Sequence, residues 1–228
     1  MTAVDGVLHF LAQSDAIGRS VALALLLMSI SAWAVIVWKA IVLRRALRDV
    51  ARGVPAFWDA ATLQDGQRRL LALDRERVLS PLVDAALTAD GTRTLAARGR
   101  AESQRTRRLR DALQRSVSHL QTGQVLLASV GSTAPFVGLF GTVWGIYHAL
   151  VAIGDASQFS IDKVAGPVGE ALVMTAAGLA VAIPAVLGYN LYGQWIGRCE
   201  AALEGFAHDL RELLDEPAPP RDDAPGAG

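Results

Sequence analysis

The sequence predicts an all-α membrane protein, with three transmembrane helices and long helical extensions in the cytoplasm. Hydrophobic residues make up 52% of the 228-residue chain, more than soluble domains contain on average. They are concentrated in three long blocks instead of recurring as amphipathic stripes, which is typical of membrane-spanning segments. The formal net charge is zero, so the overall charge does not indicate nucleic-acid binding.

The first predicted span covers 17–43. Nineteen residues without a charge separate Arg19 from Lys39, close to the roughly 20 residues that cross a bilayer core. Trp38 beside Lys39 is typical of an anchor at the membrane interface. The positive-inside rule places the end of this span in the cytoplasm, because three arginines follow it directly: Arg44, Arg45 and Arg48.

Residues 1–16 form a slightly acidic lead, which we expect outside the cytoplasm. Its apolar spacing fits a short amphipathic helix on the membrane surface, and a frayed terminus fits equally well. Asp5 and Asp15 stand where a secretory signal would be positively charged. We therefore do not expect a cleaved signal peptide.

Residues 44–123 form the predicted cytoplasmic loop. From Arg44 to Arg115 the loop holds 16 arginines against nine acids. A turn is expected at Ser80 and Pro81, and a long charged helix over 95–120. Because no aromatic residues are interleaved to stack on bases, a helix near anionic lipid headgroups is favoured over one that binds nucleic acid.

The second and third spans are predicted over 124–153 and 164–196. A short loop outside the cytoplasm, 154–163, joins them into a hairpin. A cytoplasmic helix, 197–216, and a disordered Pro-rich tail, 217–228, follow. We expect the helix of the second span to begin inside the arginine-rich segment and to run unbroken into the membrane as a stalk.

Small residues line one face of each helix in this hairpin. Spacings of 4, 3, 4, 3 and 4 residues place each set on one stripe. The second span contributes Gly131, Pro135, Gly138, Thr142, Gly145 and Ala149. The third contributes Ala171, Thr175, Gly178, Ala182, Ala185 and Tyr189. Two interpretations stay open: the stripes are seams where helices pack closely, or they line an ion pathway to which Thr142 and Thr175 supply hydroxyls.

Two titratable side chains lie in the hairpin. Glu170 is about one and a half turns into the third span; a carboxylate in hydrocarbon usually faces an interior cavity or pathway, where it can bind and release a proton. An interfacial position near Lys163 is the alternative. His148 is either a titratable group at the outer mouth or a simple interfacial histidine. Since no Asp lies within any predicted span, we expect a partner helix or further copies to supply the missing acid.

Several other classes of protein are disfavoured by what the sequence contains. The only cysteine, Cys199, allows no intrachain disulfide and is expected to be a packing residue near a helix end. There is no nucleotide-binding loop, no cluster of metal ligands and no Ser/His/Asp arrangement at a useful spacing. We therefore expect a protein that is not an enzyme and that holds neither a metal nor a cofactor.

Two segments resemble the ExbB/TolQ/MotA proton-channel family, and most closely its ExbB branch. They read APFVGLFGTVWGIYHAL and GPVGEALVMTAAGLAVAIPAVLGYN. The resemblance is detailed over 131–192, and the three-span plan agrees across the whole chain. It implies a homo-oligomeric ring, a pentamer, in the bacterial inner membrane. In that ring the second and third spans surround the transmembrane helices of ExbD.

The same resemblance implies a function. An Asp on the ExbD helix would be the main proton carrier, which accounts for the acid missing from this chain. The proton-motive force would drive motion of the inner complex. TonB would pass that motion to outer-membrane receptors that import iron-siderophores and cobalamin.

The resemblance also assigns three positions. Thr142 in FGTVWG and Thr175 in ALVMTAAGL match the family's pore threonines, and Glu170 in GEAL matches its glutamate of the third span. Members of the family often read GEALIATAIGL here. This chain has Val173 and Met174 instead, a conservative departure that leaves Glu170 and Thr175 in register. His148 stands where members vary and receives no role.

Three alternatives stay open at this stage. The TolQ branch, which serves the Tol-Pal envelope system, differs little in these motifs, and the neighbouring genes would distinguish it. A MotA-type flagellar stator fits less well, because that branch has a four-span plan. A membrane adaptor that conducts no ions and binds a partner through its arginine-rich loop belongs to a different class, which a measurement of proton flux decides.

Overall fold

A computed structural model describes residues 15–88, 101–154 and 162–215. In these ranges the chain forms six α-helices and no β-strand, which confirms the predicted all-α class there. The helices are α1 (Ala16–Trp58), α2 (Leu63–Leu73), α3 (Ser80–Leu87), α4 (Ala101–Gln121), α5 (Gln124–Gly154) and α6 (Asp162–Asp215). Most of the predicted lead, all of the predicted tail, most of the loop 154–163, and residues 89–100 of the arginine-rich segment lie outside the described residues.

Three stretches of the described chain are long and apolar enough to cross a membrane. They are Ala16–Trp58, Glu102–Val151 and Ala165–Asp215; the first contains its predicted span, and the other two cover theirs to within two residues. The first and third stretches continue as helix well past the predicted span ends. In particular, α6 is one continuous helix where the sequence suggested a span followed by a separate cytoplasmic helix.

The described residues divide into two units. We call residues 15–41 and 122–194 the membrane unit, and residues 42–88, 101–121 and 195–215 the charged unit. Both α1 and α6 contribute to each unit, because each helix continues unbroken from one into the other.

The helix of the second span does not run unbroken from the arginine-rich segment, so that expectation is wrong. α4 ends at Gln121 and α5 begins at Gln124. Between them Gly123 has a φ of 85°, a left-handed conformation that glycine adopts at little cost. A helix end leaves carbonyls without partners in the helix, and here the Thr122 carbonyl accepts a hydrogen bond from Lys39 Nζ at 2.8 Å.

Trp38, the predicted interfacial anchor, is 44% exposed, whereas its neighbour Lys39 is buried. The Lys39 side chain is 1% exposed and lies within the membrane unit, against the α4–α5 break. Nearby, a Cβ atom built on Gly123 would lie 2.9 Å from Val35 Cγ1, so α1 packs closely on this turn.

α1 packs against both helices of the hairpin. A Cβ atom on Gly141 of α5 would lie 2.9 Å from Val21 Cγ1. On α6, the Tyr192 hydroxyl donates to the Ile36 carbonyl at 2.8 Å. The opposite face of α1 exposes large apolar side chains, as expected for a helix in contact with lipid; they include Leu23, Leu26, Leu27, Ile30 and Val37.

The charged unit has a core of large apolar side chains. Phe206 is 2% exposed, and its ring packs edge-on against Phe57 with centroids 5.2 Å apart. Leucines of several helices complete this core: Leu70, Leu79, Leu82, Leu203 and Leu210. Cys199 is also fully buried, as the predicted packing role requires, but it lies inside the continuous helix α6 and not near a helix end as expected.

The connection between α2 and α3 lies earlier than the predicted turn. Ser80 and Pro81 belong to the first turn of α3, a position that proline favours. The connection itself, 74–79, is held by Asp74, which is 5% exposed. Its carboxylate accepts hydrogen bonds from the backbone N–H groups of residues 78, 79 and 80 and from the Ser80 hydroxyl, at 2.7–3.0 Å.

Candidate functional site

The candidate site lies between α5 and α6, where the two predicted stripes of small residues face each other. A Cβ atom built on Gly138 would lie 2.5 Å from the Met174 carbonyl oxygen and 3.1 Å from the Gly178 Cα. A Cβ on Gly178 would lie 2.6 Å from the Ala134 carbonyl oxygen. No side chain fits at these distances, so the two backbones touch directly, as small residues allow in membrane helices.

The same seam continues along both helices. Toward the start of α5, a Cβ atom on Gly131 would lie 2.6 Å from Val186 Cγ2. Toward its end, a Cβ on Gly145 would lie 2.9 Å from the Ala171 Cβ. The other stripe residues are buried at Ala149, Ala182 and Ala185, half-buried at Pro135 and exposed at Tyr189.

The structure brings Thr142 and Thr175 together at the centre of this seam. Their hydroxyl oxygens are 2.5 Å apart. Thr142 is 6% exposed, and its hydroxyl also lies 3.1 Å from the Ala171 carbonyl and 3.2 Å from the Gly138 carbonyl. Each hydroxyl donates once and accepts up to twice, so the pair links α5 to α6 and fixes their register.

Glu170 lies beside this pair along the chain but faces elsewhere. It precedes Ala171, the residue whose carbonyl lies within hydrogen-bond distance of Thr142. Five residues separate it from Thr175, which is about 140° around an α-helix. The side chain is half-buried, and it makes no hydrogen bond or ion pair with another residue in the described ranges. The structure therefore places the two threonines in one contact and the glutamate outside it.

His148 belongs to a second polar group in the membrane unit. It is exposed, and its ring stacks on Trp144 with centroids 6.2 Å apart. The Trp144 indole Nε1 donates to Asp15 Oδ2 at 2.6 Å, and the Gly18 N–H donates to Asp15 Oδ1 at 2.7 Å. These two hydrogen bonds, Trp144 first, lower the pKa of the Asp15 carboxyl below its ordinary value, and the neighbouring His148 adds to the effect.

The sequence reasoning missed two of these polar contacts. Asp15 was interpreted only as a negative charge in the lead, although an Asp directly before a helix is a typical N-cap, whose carboxylate accepts from an N–H two or three residues later. Trp144 lies off the small-residue stripe of α5 and received no polar role from the sequence, although the N–H of a tryptophan usually finds a partner when it lies away from water. No pattern in the sequence indicated the contact between Lys39 and Thr122.

Among the described residues, this arrangement can orient the hydroxyl protons but forms no continuous path for protons. Hydroxyl pairs can reverse the direction of their hydrogen bond, and a carboxylate can take up a proton. In the described ranges these two kinds of group are not joined. The described residues also hold no group of three or more His, Cys, Asp or Glu side chains placed to bind a metal.

Comparison with known proteins gives these motifs a context. The family model described as the MotA/TolQ/ExbB proton channel family matches residues 75–205. A biopolymer transport protein ExbB from Xanthomonas campestris pv. campestris is 42% identical over 215 residues, covering 87% of this chain and 82% of that protein. The corresponding protein of Neisseria meningitidis is 41% identical over 196 residues, covering 83% and 88%. The Tol-Pal system protein TolQ of Haemophilus influenzae is 28% identical over 236 residues, covering 96% and 97%.

Proposed function

The chain belongs to the MotA/TolQ/ExbB proton channel family, and we propose that it is the ExbB-type subunit of a proton-driven motor. With three helices able to span a membrane, it is a multi-pass inner-membrane protein. The higher identity to proteins named ExbB than to one named TolQ, 42% and 41% against 28%, favours the ExbB role. The motor would energise TonB for import across the outer membrane.

The partners and orientation follow from the same proposal. The N-terminus would lie in the periplasm, and the charged unit in the cytoplasm, because the arginines follow the first span. Copies of the hairpin, five in the family's ring, would surround transmembrane helices of ExbD. A partner acid is required on chemical grounds, because the described spans hold one carboxylate and no second acid beside the threonines.

The observation that carries the site proposal is the contact between Thr142 and Thr175 in a seam without room for larger side chains. We assign these hydroxyls to holding α5 and α6 in one register. Glu170, half-buried on another face of α6, is then the group of this chain that exchanges protons with the partner acid. In this proposal the threonines have a structural role and Glu170 transfers protons, whereas in the alternative Thr142, Thr175 and Glu170 all line one proton pathway.

Replacement of these residues in a strain that lacks its own ExbB tests the proposal. We expect Glu170→Gln to abolish TonB-dependent siderophore uptake while ExbD still co-purifies, since the amide keeps the shape but cannot exchange a proton. We expect Thr142→Val, which keeps the shape and removes the hydroxyl, to reduce uptake and to lower thermal stability together. Thr133→Ala is the matched control, because its exposed hydroxyl bonds only to its own helix.

Two outcomes would contradict this assignment. Normal uptake with Glu170→Gln would remove the glutamate from the proton pathway. A Thr142→Val protein with normal stability but no uptake would mean that the hydroxyl acts in proton transfer and not in positioning.

Two alternatives have their own tests. Complementation of a tolQ mutant, together with tolR and tolA next to the gene, would support the TolQ role. Proton flux in vesicles that contain the co-purified complex separates a motor subunit from an adaptor. Absence of flux in every state, with no effect of Glu170→Gln, would support the adaptor.

A further inference from the structure

We propose that Lys39 is a positioning residue: its buried amine holds the start of α5 against α1 and so keeps Thr142 in contact with Thr175. The residues involved all belong to the membrane unit. Only the expected loss of siderophore uptake rests on the motor function proposed above, since the position of α5 can be measured separately.

Lys39 is buried where a lysine is usually exposed. At the end of a membrane span, a lysine normally extends its long side chain until the ammonium group reaches water. Lys39 is instead 1% exposed and is among the largest fully buried side chains of the described residues. Removing a charge from water is costly unless the group gains hydrogen bonds, and Lys39 Nζ donates one to the Thr122 carbonyl at 2.8 Å. The contact with Thr122 therefore gives a physical reason for a buried amine at this position.

The turn that Lys39 contacts lies directly before α5. It consists of Thr122 and Gly123, and Gly123 has a φ of 85° between the two helices. Carbonyl groups at the end of a helix lack partners and carry partial negative charge, so a cation is stabilising there. α1 also packs on this turn, since a Cβ atom on Gly123 would lie 2.9 Å from Val35 Cγ1 and 3.6 Å from Trp38 Cζ3. A polar contact and a packing contact thus fix the start of α5 to α1.

α1 meets α5 again beside the threonine pair. A Cβ atom on Gly141 would lie 2.9 Å from Val21 Cγ1, and Gly141 directly precedes Thr142. Gly141 follows Gly123 by eighteen residues, which is about 27 Å of helix. The two contacts therefore hold α5 against α1 both at its start and next to Thr142.

The contact between Thr142 and Thr175 is sensitive to the position of α5 along its axis. A slip of one residue moves a side chain by about 1.5 Å and turns it by about 100°, whereas the two hydroxyl oxygens are 2.5 Å apart. The small residues of the α5–α6 seam set how closely the two backbones approach. Directional hydrogen bonds fix the position along the axis, and Lys39 supplies one at the start of α5. Lys39 therefore acts on Thr142 through α5.

Solid-state NMR of the full-length protein in lipid bilayers tests the contact without any substitution at Lys39. Thr122–Gly123 is the only Thr-Gly pair in the sequence, and Lys39 and Lys163 are the only lysines. Labels at the Thr carbonyl ¹³C and the Gly amide ¹⁵N therefore select the Thr122 carbonyl, and with Lys163→Arg a ¹⁵Nζ label marks Lys39 alone. We expect a through-space contact between these two labelled groups, and its absence would overturn the proposal.

Lys39→Met tests whether the contact positions Thr142. Methionine keeps a long side chain but donates no hydrogen bond, so we expect the Thr122 carbonyl signal to shift. The signal of Gly141–Thr142, recorded with Gly carbonyl ¹³C and Thr ¹⁵N labels, should shift with it as α5 moves. This pair is one of two Gly-Thr pairs in the sequence, and Thr92→Ser assigns it by removing the other.

Siderophore uptake in a strain that lacks its own ExbB reports the consequence for function. We expect Lys39→Met to lower uptake about tenfold or more, since small displacements of reacting groups are costly. Lys39→Arg keeps the charge and a donor and should retain most of the uptake. Arg48→Met makes the matched change at an exposed position of the same helix and should alter neither uptake nor the NMR signals. If Lys39→Met does not fold, Lys39→Gln, which is uncharged and shorter, takes its place.

Three further results would overturn the proposal. They are a Gly141–Thr142 signal that stays in place with Lys39→Met, uptake with Lys39→Met as high as that of the wild type, and an equal loss of uptake with Arg48→Met. A wild-type gene that does not restore uptake would instead contradict the motor function, and the NMR signals would still decide the role of Lys39.

Discussion

The membrane unit and the charged unit are held together by opposite kinds of side chain. In the membrane unit the closest packing is between residues with little or no side chain, such as Gly138 and Gly178. The buried core of the charged unit consists instead of large rings and leucines, with Phe206 and Phe57 in edge-on contact. Burying apolar area stabilises a protein only where the alternative is water. In lipid that gain is absent, and close approach of the backbones takes its place.

Polar contacts differ in the same way. The charged unit uses buried carboxylates, Asp49 and Asp74, to cap backbone N–H groups at a helix connection. The described α5–α6 seam of the membrane unit uses two hydroxyls, Thr142 and Thr175. An ionised group is costly to keep in hydrocarbon, so a neutral pair is the cheaper way to fix a register there. The predictions below probe this difference.

The largest effect is expected from Phe206→Ala. The change empties a fully buried ring site against Phe57 and Trp58, and such changes cost about 3–5 kcal/mol. Thermal or denaturant unfolding of the purified full-length protein measures it. Leu213→Ala on the same helix is the control, since Leu213 is 40% exposed and should change stability by less than about 0.5 kcal/mol. Similar small losses for both would mean that Phe206 does not organise the core of the charged unit.

Asp74→Ala is expected to have the second-largest effect. It should lower the free energy of unfolding by about 3 kcal/mol, because it leaves several buried N–H groups without an acceptor. The same unfolding experiment applies. Asp74→Asn retains one oxygen and should lose clearly less. An alanine variant as stable as the wild type would contradict the role given to this carboxylate.

Gly138→Ala is expected to lower the free energy of unfolding by about 1–3 kcal/mol, because even one methyl group overfills the α5–α6 seam. The matched change is Gly197→Ala, also on a helix of this protein, where a Cβ atom would meet nothing within 4 Å. There the substitution should stabilise the helix by up to about 1 kcal/mol. If Gly138→Ala lowers the free energy of unfolding and Gly197→Ala raises it, the contrast between a closed seam and an open surface is supported. Changes of the same sign in both variants would contradict it.

The smallest effect concerns the hydrogen bond between Trp144 and Asp15. Because this contact lowers the pKa of the Asp15 carboxyl, the stability it adds is present above the ordinary carboxyl pKa of about 3.9 and is lost as the pH falls through the lowered value. Stability should therefore not depend on this group between pH 5 and 8. The difference in melting temperature between wild type and Asp15→Asn should shrink below about pH 4.

Trp144→Phe removes the indole N–H and should bring the pKa of Asp15 back toward its ordinary value, as carboxylate NMR or infrared titration would report. An unchanged Asp15 titration in this variant would show that the indole is not the cause.

Much of the fold could be predicted because it depends on short-range patterns. Runs of apolar residues identify the three spans, and the alternating 4 and 3 spacing places Gly138, Thr142, Thr175 and Gly178 on stripes. The wrong expectations concern helix ends. The break at Gly123 interrupts the expected stalk, and Ser80 with Pro81 starts a helix instead of forming the turn. Glycine and proline indicate a change of conformation but do not specify which one.

The amino-acid sequence by itself determined the helical class, the three spans, the small-residue stripes and the family. These properties depend on which residues occur and on their spacing along one helix. Only the tertiary structure decided that the two stripes face each other, that Glu170 lies outside the threonine contact, and that Lys39 is buried. It also joined Lys39 to Thr122 and Asp15 to Trp144, which are 83 and 129 residues apart in the chain. Periodicity describes a helix face, but the partner of that face depends on how all the helices pack together.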